Sequence, residues 1–218
     1  MELELLDADC EKLLSGCPAI RKLKVRLSDP VRNKWFGSHT ICMPRSLKHL
    51  TFEELRQLGP ACAELELEHD VDWVAELLKA LCRTKLLTLK HYTTHCLFQA
   101  PALELPEFRC LLNLELDVLS FNSNFVMNLL HNCHVLQVFA IHNRKYRYMN
   151  WVEYPGPAPP TGVPICVTSH LKIFKFGEYE ELQMNVHLLN ILKRGPVLET
   201  AAIHPIYSQE VICHARGL

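Results

Sequence analysis

Three stretches of this chain share one spacing, and that spacing limits the folds open to it. Counting from a cysteine or glycine, apolar residues fall three, six and eight positions later. Cys17 leads to Ile20, Leu23 and Val25, Cys133 to Leu136, Phe139 and Ile141, and Gly195 to Leu198, Ala201 and Ile203. Each time an apolar helix end (Leu14, Leu130 or Leu192) meets a small residue at the stop, and a short alternating strand follows. Units that recur in this way bury their apolar faces only by stacking on their neighbours, as in a solenoid. Solenoids serve mainly as binding surfaces, so the spacing points away from an enzyme.

Alternation of apolar and polar residues marks strands at Leu3–Leu6, Ile20–Leu27, Leu47–Phe52, Glu64–Glu68, Leu86–His91, Leu111–Val118, Leu136–Ile141, Leu171–Phe176 and Leu198–Ile203. Leu114, Leu116 and Val118 against Glu115 and Asp117 show the period of a sheet with one buried face. Spacings of three and four mark helices between some of these strands. Trp73, Val74, Leu77, Leu78 and Leu81 form one stripe behind the capping candidates Asp70 and Asp72, and Val126, Leu129 and Leu130 form another behind Asn122. Leu182, Val186, Leu189 and Leu192 form a third, closed by Lys193, Arg194 and Gly195. Strand spacing of roughly 20–30 residues is the range of leucine-rich repeats. Their Leu-x-x-Leu-x-Leu core stands at Leu111–Leu116 and, with aromatic replacements, at Leu171–Phe176. The expected fold is therefore α/β, a degenerate leucine-rich-repeat solenoid of strand–helix units forming a curved sheet. Residues 1–141 form the repeat region, 142–169 an irregular segment, and 170–218 a C-terminal strand–helix–strand unit. Pro155, Pro157, Pro159, Pro160 and Pro164 in the middle segment exclude regular structure over the proline cluster.

Composition narrows the function classes. The chain has 218 residues, 49 % of them apolar, and a formal net charge of −1, so no basic excess draws it to phosphate. No apolar window reaches the ~18 residues of a membrane helix, and the first fourteen residues, with Glu and Leu alternating at their start, lack the apolar run of an export signal. No membrane is expected as a partner, and a cytoplasmic or nuclear setting is. The ten cysteines lie singly, without a CxxC pair, which favours free thiols over zinc or disulfides. His91 and His95 have the spacing of a helical metal pair, but Thr93, Thr94 and the adjoining strand argue against a helix there. No nucleophile elbow, phosphate-cradling glycine loop or dinucleotide fingerprint occurs. Asn143-Arg144-Lys145-Tyr146-Arg147-Tyr148 mixes cations with aromatics, yet the near-neutral charge makes a solvated loop the better reading than a nucleic-acid site. No catalytic residue, cofactor or metal is expected.

Residues 106–204 resemble the C-terminal part of plant F-box proteins with leucine-rich repeats and an FBD domain. Leu105-Pro106-Glu107-Phe108 with Leu111–Val118 is similar to the family's "LPEF…L..LEL" strand. Leu129–Ile141 resembles its "LL..C..L.VF.I" helix and strand. Trp151, Val163-Pro164, Cys166 and Ser169-His170-Leu171-Lys172 resemble "W..P..VP.C..SHLK", and Leu188–Ile203 resembles the closing "LL..G.VLE...I". Leu13–Pro18 and Leu47–Leu50 look like the repeat region of the same proteins. The resemblance implies an FBD-like unit at the C-terminal end and a role as the substrate-recognition part of an SCF-type ubiquitin ligase. It supplies no catalytic positions, because other subunits do the ubiquitin chemistry. Nothing in these residues resembles an F-box, so a Skp-type adaptor is expected as a partner only if an F-box lies upstream. The alternative is a truncated stand-alone interaction or decoy fragment with no ligase role. The target protein would meet the outward strand positions, which read Lys24, Arg26, Glu66, Glu68, Lys90, Glu115, Asp117 and Lys175.

Overall fold

The computed structural model describes residues 2–6, 19–27, 46–54, 78–90, 94, 97–98, 104–118, 121–143, 161–179, 194–205 and 211–214. At 2–6, 25–27, 52–54, 143, 178–179, 203–205 and 211–214 it describes the backbone alone. The strands are β1 (Glu2–Leu6), β2 (Lys22–Leu27), β3 (His49–Glu54), β4 (Leu86–Lys90), β5 (Asn113–Val118), β6 (Val138–Asn143), β7 (Ile173–Tyr179), β8 (Thr200–Pro205) and β9 (Val211–His214). They form one sheet in which each strand lies beside its successor in sequence. Every pairing from β1 to β8 is parallel, and β9 closes the series antiparallel to β8. The chain is thus α/β with a mainly parallel sheet.

One hydrogen-bond arrangement repeats along the sheet. The carbonyls of Arg21, Lys48, Lys85, Leu112, Gln137 and Lys172 each stand just before a strand, and each accepts from two consecutive amides of the next unit. The pairs run from Lys48 and His49 onto Arg21, at 2.9 and 3.1 Å, through to Glu199 and Thr200 onto Lys172, at 2.7 and 3.0 Å. Every unit therefore enters its strand in the same register as the one before it. Each carbonyl thus accepts twice from the next unit, once from the strand's first amide and once from the amide just before it.

That register stacks like upon like. Leu23, Leu50, Leu87, Leu114, Phe139, Phe174 and Ala201 are successive partners across seven strands, and all are buried. Two residues on, Leu89, Leu116, Ile141 and Phe176 make a second buried row, and Ile20, Leu47, Leu111, Leu136, Leu171 and Leu198 pack ahead of the strands. Phe139 and Phe174 lie 5.9 Å apart, and Phe121 meets Phe176 edge-on at 5.1 Å. Side chains alternate along a strand, so the face opposite this core is the one carrying Lys24, Glu115, Ala140, Lys175 and Ala202. Val25 and Ile203 hold core-face positions by register, but their side chains lie outside the described residues.

Helix α1 (Ser123–His131) follows β5. The Asn122 Oδ1 accepts from the Phe125 amide at 3.1 Å, and Phe125, Val126, Met127, Leu129 and Leu130 are buried. Helix α2 (Ile165–Ser169) begins directly after Pro164, at the end of the segment read as irregular, and buries Cys166 and Val167. The Cys166 thiol donates to the Leu130 carbonyl at 3.3 Å, tying α2 to α1. Burial pushes that thiol up to about 12 and raises the buried Cys133 well above the ordinary thiol value, so both act as small apolar fillers. Cys82, Cys110, Cys133 and Cys166 are free.

Several sequence expectations change or pass out of view. The strand expected at Glu64–Glu68, the helix over Leu182–Leu192 and most of the helix from Trp73 lie outside the described residues, although 78–80 are helical. Thr94, expected in non-helical chain, is helical and wholly buried, and its hydroxyl donates to the Asp117 carbonyl at 2.5 Å. The threonine side chain satisfies itself across the fold, which offsets its weak helix preference. His91, His95 and the segment 144–148 lie outside the described residues. Strand β9 was not expected.

Candidate partner-binding face

Opposite the core, register fixes three rows running across the strands. The lower row passes through Lys22, His49, Leu86, Asn113, Val138, Ile173 and Thr200. The middle row passes through Lys24, Thr51, Thr88, Glu115, Ala140, Lys175 and Ala202, and the upper through Lys90, Asp117, His142 and Gly177. Strand spacing of about 4.8 Å puts neighbours in a row within side-chain reach, so these rows behave as surfaces.

The expected contact residues meet different fates on this face. Lys24, Glu115 and Lys175 stand in the middle row, the first two half-buried and the last exposed. Lys90 is half-buried in the upper row. Arg26 pairs with Glu53 in register, but its side chain lies outside the described residues, as do Glu66 and Glu68 altogether. Asp117 is a correction. It sits on the open side as alternation requires, yet it is only 4 % exposed and cannot serve as a free contact. Its register neighbours Lys90 and His142 flank it, and buried Thr94 is bonded to its carbonyl, so the upper end of β5 is closed over.

The sequence reading missed His142, which lies one position beyond the end assigned to its strand. Its Nε2 stands 3.3 Å from Glu115 Oε1, a diagonal contact between β5 and β6. The hydrogen bond to His142 holds the Glu115 carboxyl below the usual carboxylate value, helped by the charges of His142 and Lys90 and by the Thr88 hydroxyl, against the opposing effect of burial. Gly177 makes room for this ring, since a Cβ there would stand 3.3 Å from His142 Nδ1. The signal for His142 was present in the alternation, because Phe139 and Ile141 face the core and the next polar positions continue the strand to Asn143.

Chemically the face offers paired and buried charge, aliphatic patches and small residues. Among the described residues no group of three or more His, Cys, Asp or Glu side chains has the arrangement to hold a metal ion. No helix among them is long and apolar enough to cross a membrane.

The end of the sheet decides what the chain is similar to. Residues 159–203 match the FBD family. The FBD match takes in α2, β7 and the start of β8, and with them Ile173, Lys175 and Gly177 of the open face. No curated protein and no solved structure matches the chain.

Proposed function

We propose that this chain is a protein-interaction module built as a leucine-rich-repeat solenoid. Its open strand face would receive the target, and its role would be that of the substrate-recognition part of an SCF-type ubiquitin ligase. The observation that carries this reading is the repeated carbonyl arrangement before β2 to β7, which sets successive parallel strands in one register. Repetition of that kind produces a continuous face of outward side chains spanning many units, which suits a macromolecular partner better than a small substrate. The FBD match at the C-terminal end supports the ligase side of the reading, since FBD segments are generally associated with F-box proteins. The chain on this reading binds without catalysing, takes no cofactor, and works in the cytoplasm or nucleus.

Proximity labelling from the wild-type chain and from a Glu115→Lys, Lys175→Glu variant tests the face. A set of proteins labelled by the wild type and lost from the variant is the expected result, the variant remaining folded although it lacks the Glu115–His142 contact. Identical labelling would overturn the reading. A second measurement concerns the adaptor. Residues 1–218 should not capture a purified Skp-type adaptor, because none of them resembles an F-box. Firm capture would move the ligase contact into the repeats.

A further inference from the structure

In β4 to β8 the described charged side chains of the open face are Lys90, Glu115, Asp117, His142 and Lys175. Four of them are already committed. Glu115 and His142 hold each other at 3.3 Å, Lys90 has an interaction of its own, and Asp117 is buried. Lys175 is exposed and, among the described residues, has no hydrogen-bond or ion-pair partner. Register explains why. Its neighbours on either side are Ala140 and Ala202, and the nearest carboxylate of the row, Glu115, is two strands away. That is roughly 10 Å between backbones at the usual strand spacing, so no carboxylate of the row is its immediate neighbour. Both alanines are nearly covered, at 7 % and 5 % exposed, so they form a low floor from which the lysine rises. Two residues earlier on the same face, Val138 and Ile173 are register partners and stay partly exposed.

We propose that β6 and β7 bind an extended segment of the target carrying Asp or Glu two residues from an aliphatic residue. The carboxylate would lie on Lys175 and the aliphatic side chain on Val138 and Ile173. This rests on the open face being the target surface and names the chemistry it selects. Residues two apart share a face in an extended chain and stand ~6.6 Å apart, the same interval that separates Ile173 from Lys175 along β7. One uncommitted cation over a small aliphatic patch suits a single carboxylate, whereas a nucleic-acid backbone calls for a row of cations.

A display library of short, fully randomised linear peptides, selected on the full chain, tests this. Enriched peptides should carry Asp or Glu two positions from Val, Leu or Ile. They should bind Lys175→Glu at least roughly tenfold more weakly, and selection on Lys175→Glu should turn to Lys or Arg at that position. Lys175→Gln provides the same comparison if charge reversal lowers melting. Enrichment without an acidic residue, equal binding by the lysine variants, or no enrichment at all would overturn the proposal. Peptides lost on Glu115→Lys but kept by the lysine variants would overturn it while leaving the open face as the target surface. Peptides indifferent to every open-face substitution would overturn both.

Discussion

Asp117 and Lys175 both hold outward strand positions and both are charged, yet their surroundings make opposite demands. Lys175 is exposed between two alanines, so Lys175→Glu should change stability by less than about 0.5 kcal/mol. Asp117 is 4 % exposed beside Lys90 in register, so Asp117→Lys would bury a cation next to a cation. That variant should lose more than ~2 kcal/mol in denaturant titration. On the core side, Phe174 is 1 % exposed and touches the Phe139 and Phe176 rings, so Phe174→Ala should cost about 3–5 kcal/mol by the same measurement. Glu115 adds a pH dependence. Its folded carboxyl is held below the ordinary value, so its stabilising effect is complete above that ordinary value and fades as pH falls through the lower, folded one. Between about pH 6 and pH 3 the wild type should therefore lose more stability than Glu115→Gln. Parallel pH curves for the two would show that the His142 contact does not persist in solution.

Elements were legible in the sequence wherever one face is buried and the period is kept. Strands β4 to β8 follow from alternation because Leu87, Leu114, Phe139, Phe174 and Ala201 must all reach the same core. Helix α1 was legible from its stripe and its cap, and Asn122 accepts from Phe125 as the capping residue. Asn122→Ala should thus cost roughly 1 kcal/mol, and Asn122→Asp, another good capping residue, should retain most of it. Equal loss from both would mean that the stabilisation comes from elsewhere than the cap. What stayed illegible depends on contacts distant in sequence. The main-chain carbonyl of Asp117 is bonded to Thr94, 23 residues away, and no local pattern reports either that bond or the burial of Asp117. His142 was missed because the following segment is rich in polar and proline residues, which obscured the last two positions of β6. Strand β9 has only four residues, too few for alternation to stand out, and its place is set by the edge of β8.

Across the whole molecule, a sheet assembled from successive parallel strands has a distinct problem at its ends. Each interior strand satisfies its backbone on both sides, whereas a terminal strand leaves a row of amides and carbonyls open to another chain. At the C-terminal end β9 folds back antiparallel and pairs Thr200 with His214, Ala201 with Cys213, Ala202 with Ile212 and Ile203 with Val211. The turn of direction matters, because a further parallel strand would need another crossover and would leave the same edge problem one step on. β9 is therefore a closing strand, short enough to offer little template of its own. Removing residues 206–218 should leave the carbonyl-set register from β2 to β8 intact and bare the edge of β8. The shortened chain should keep its far-ultraviolet circular dichroism, yet elute as dimers or larger species at concentrations where the full chain has a lower apparent mass. An elution volume that scales only with the lost residues would show that the edge of β8 needs no covering strand.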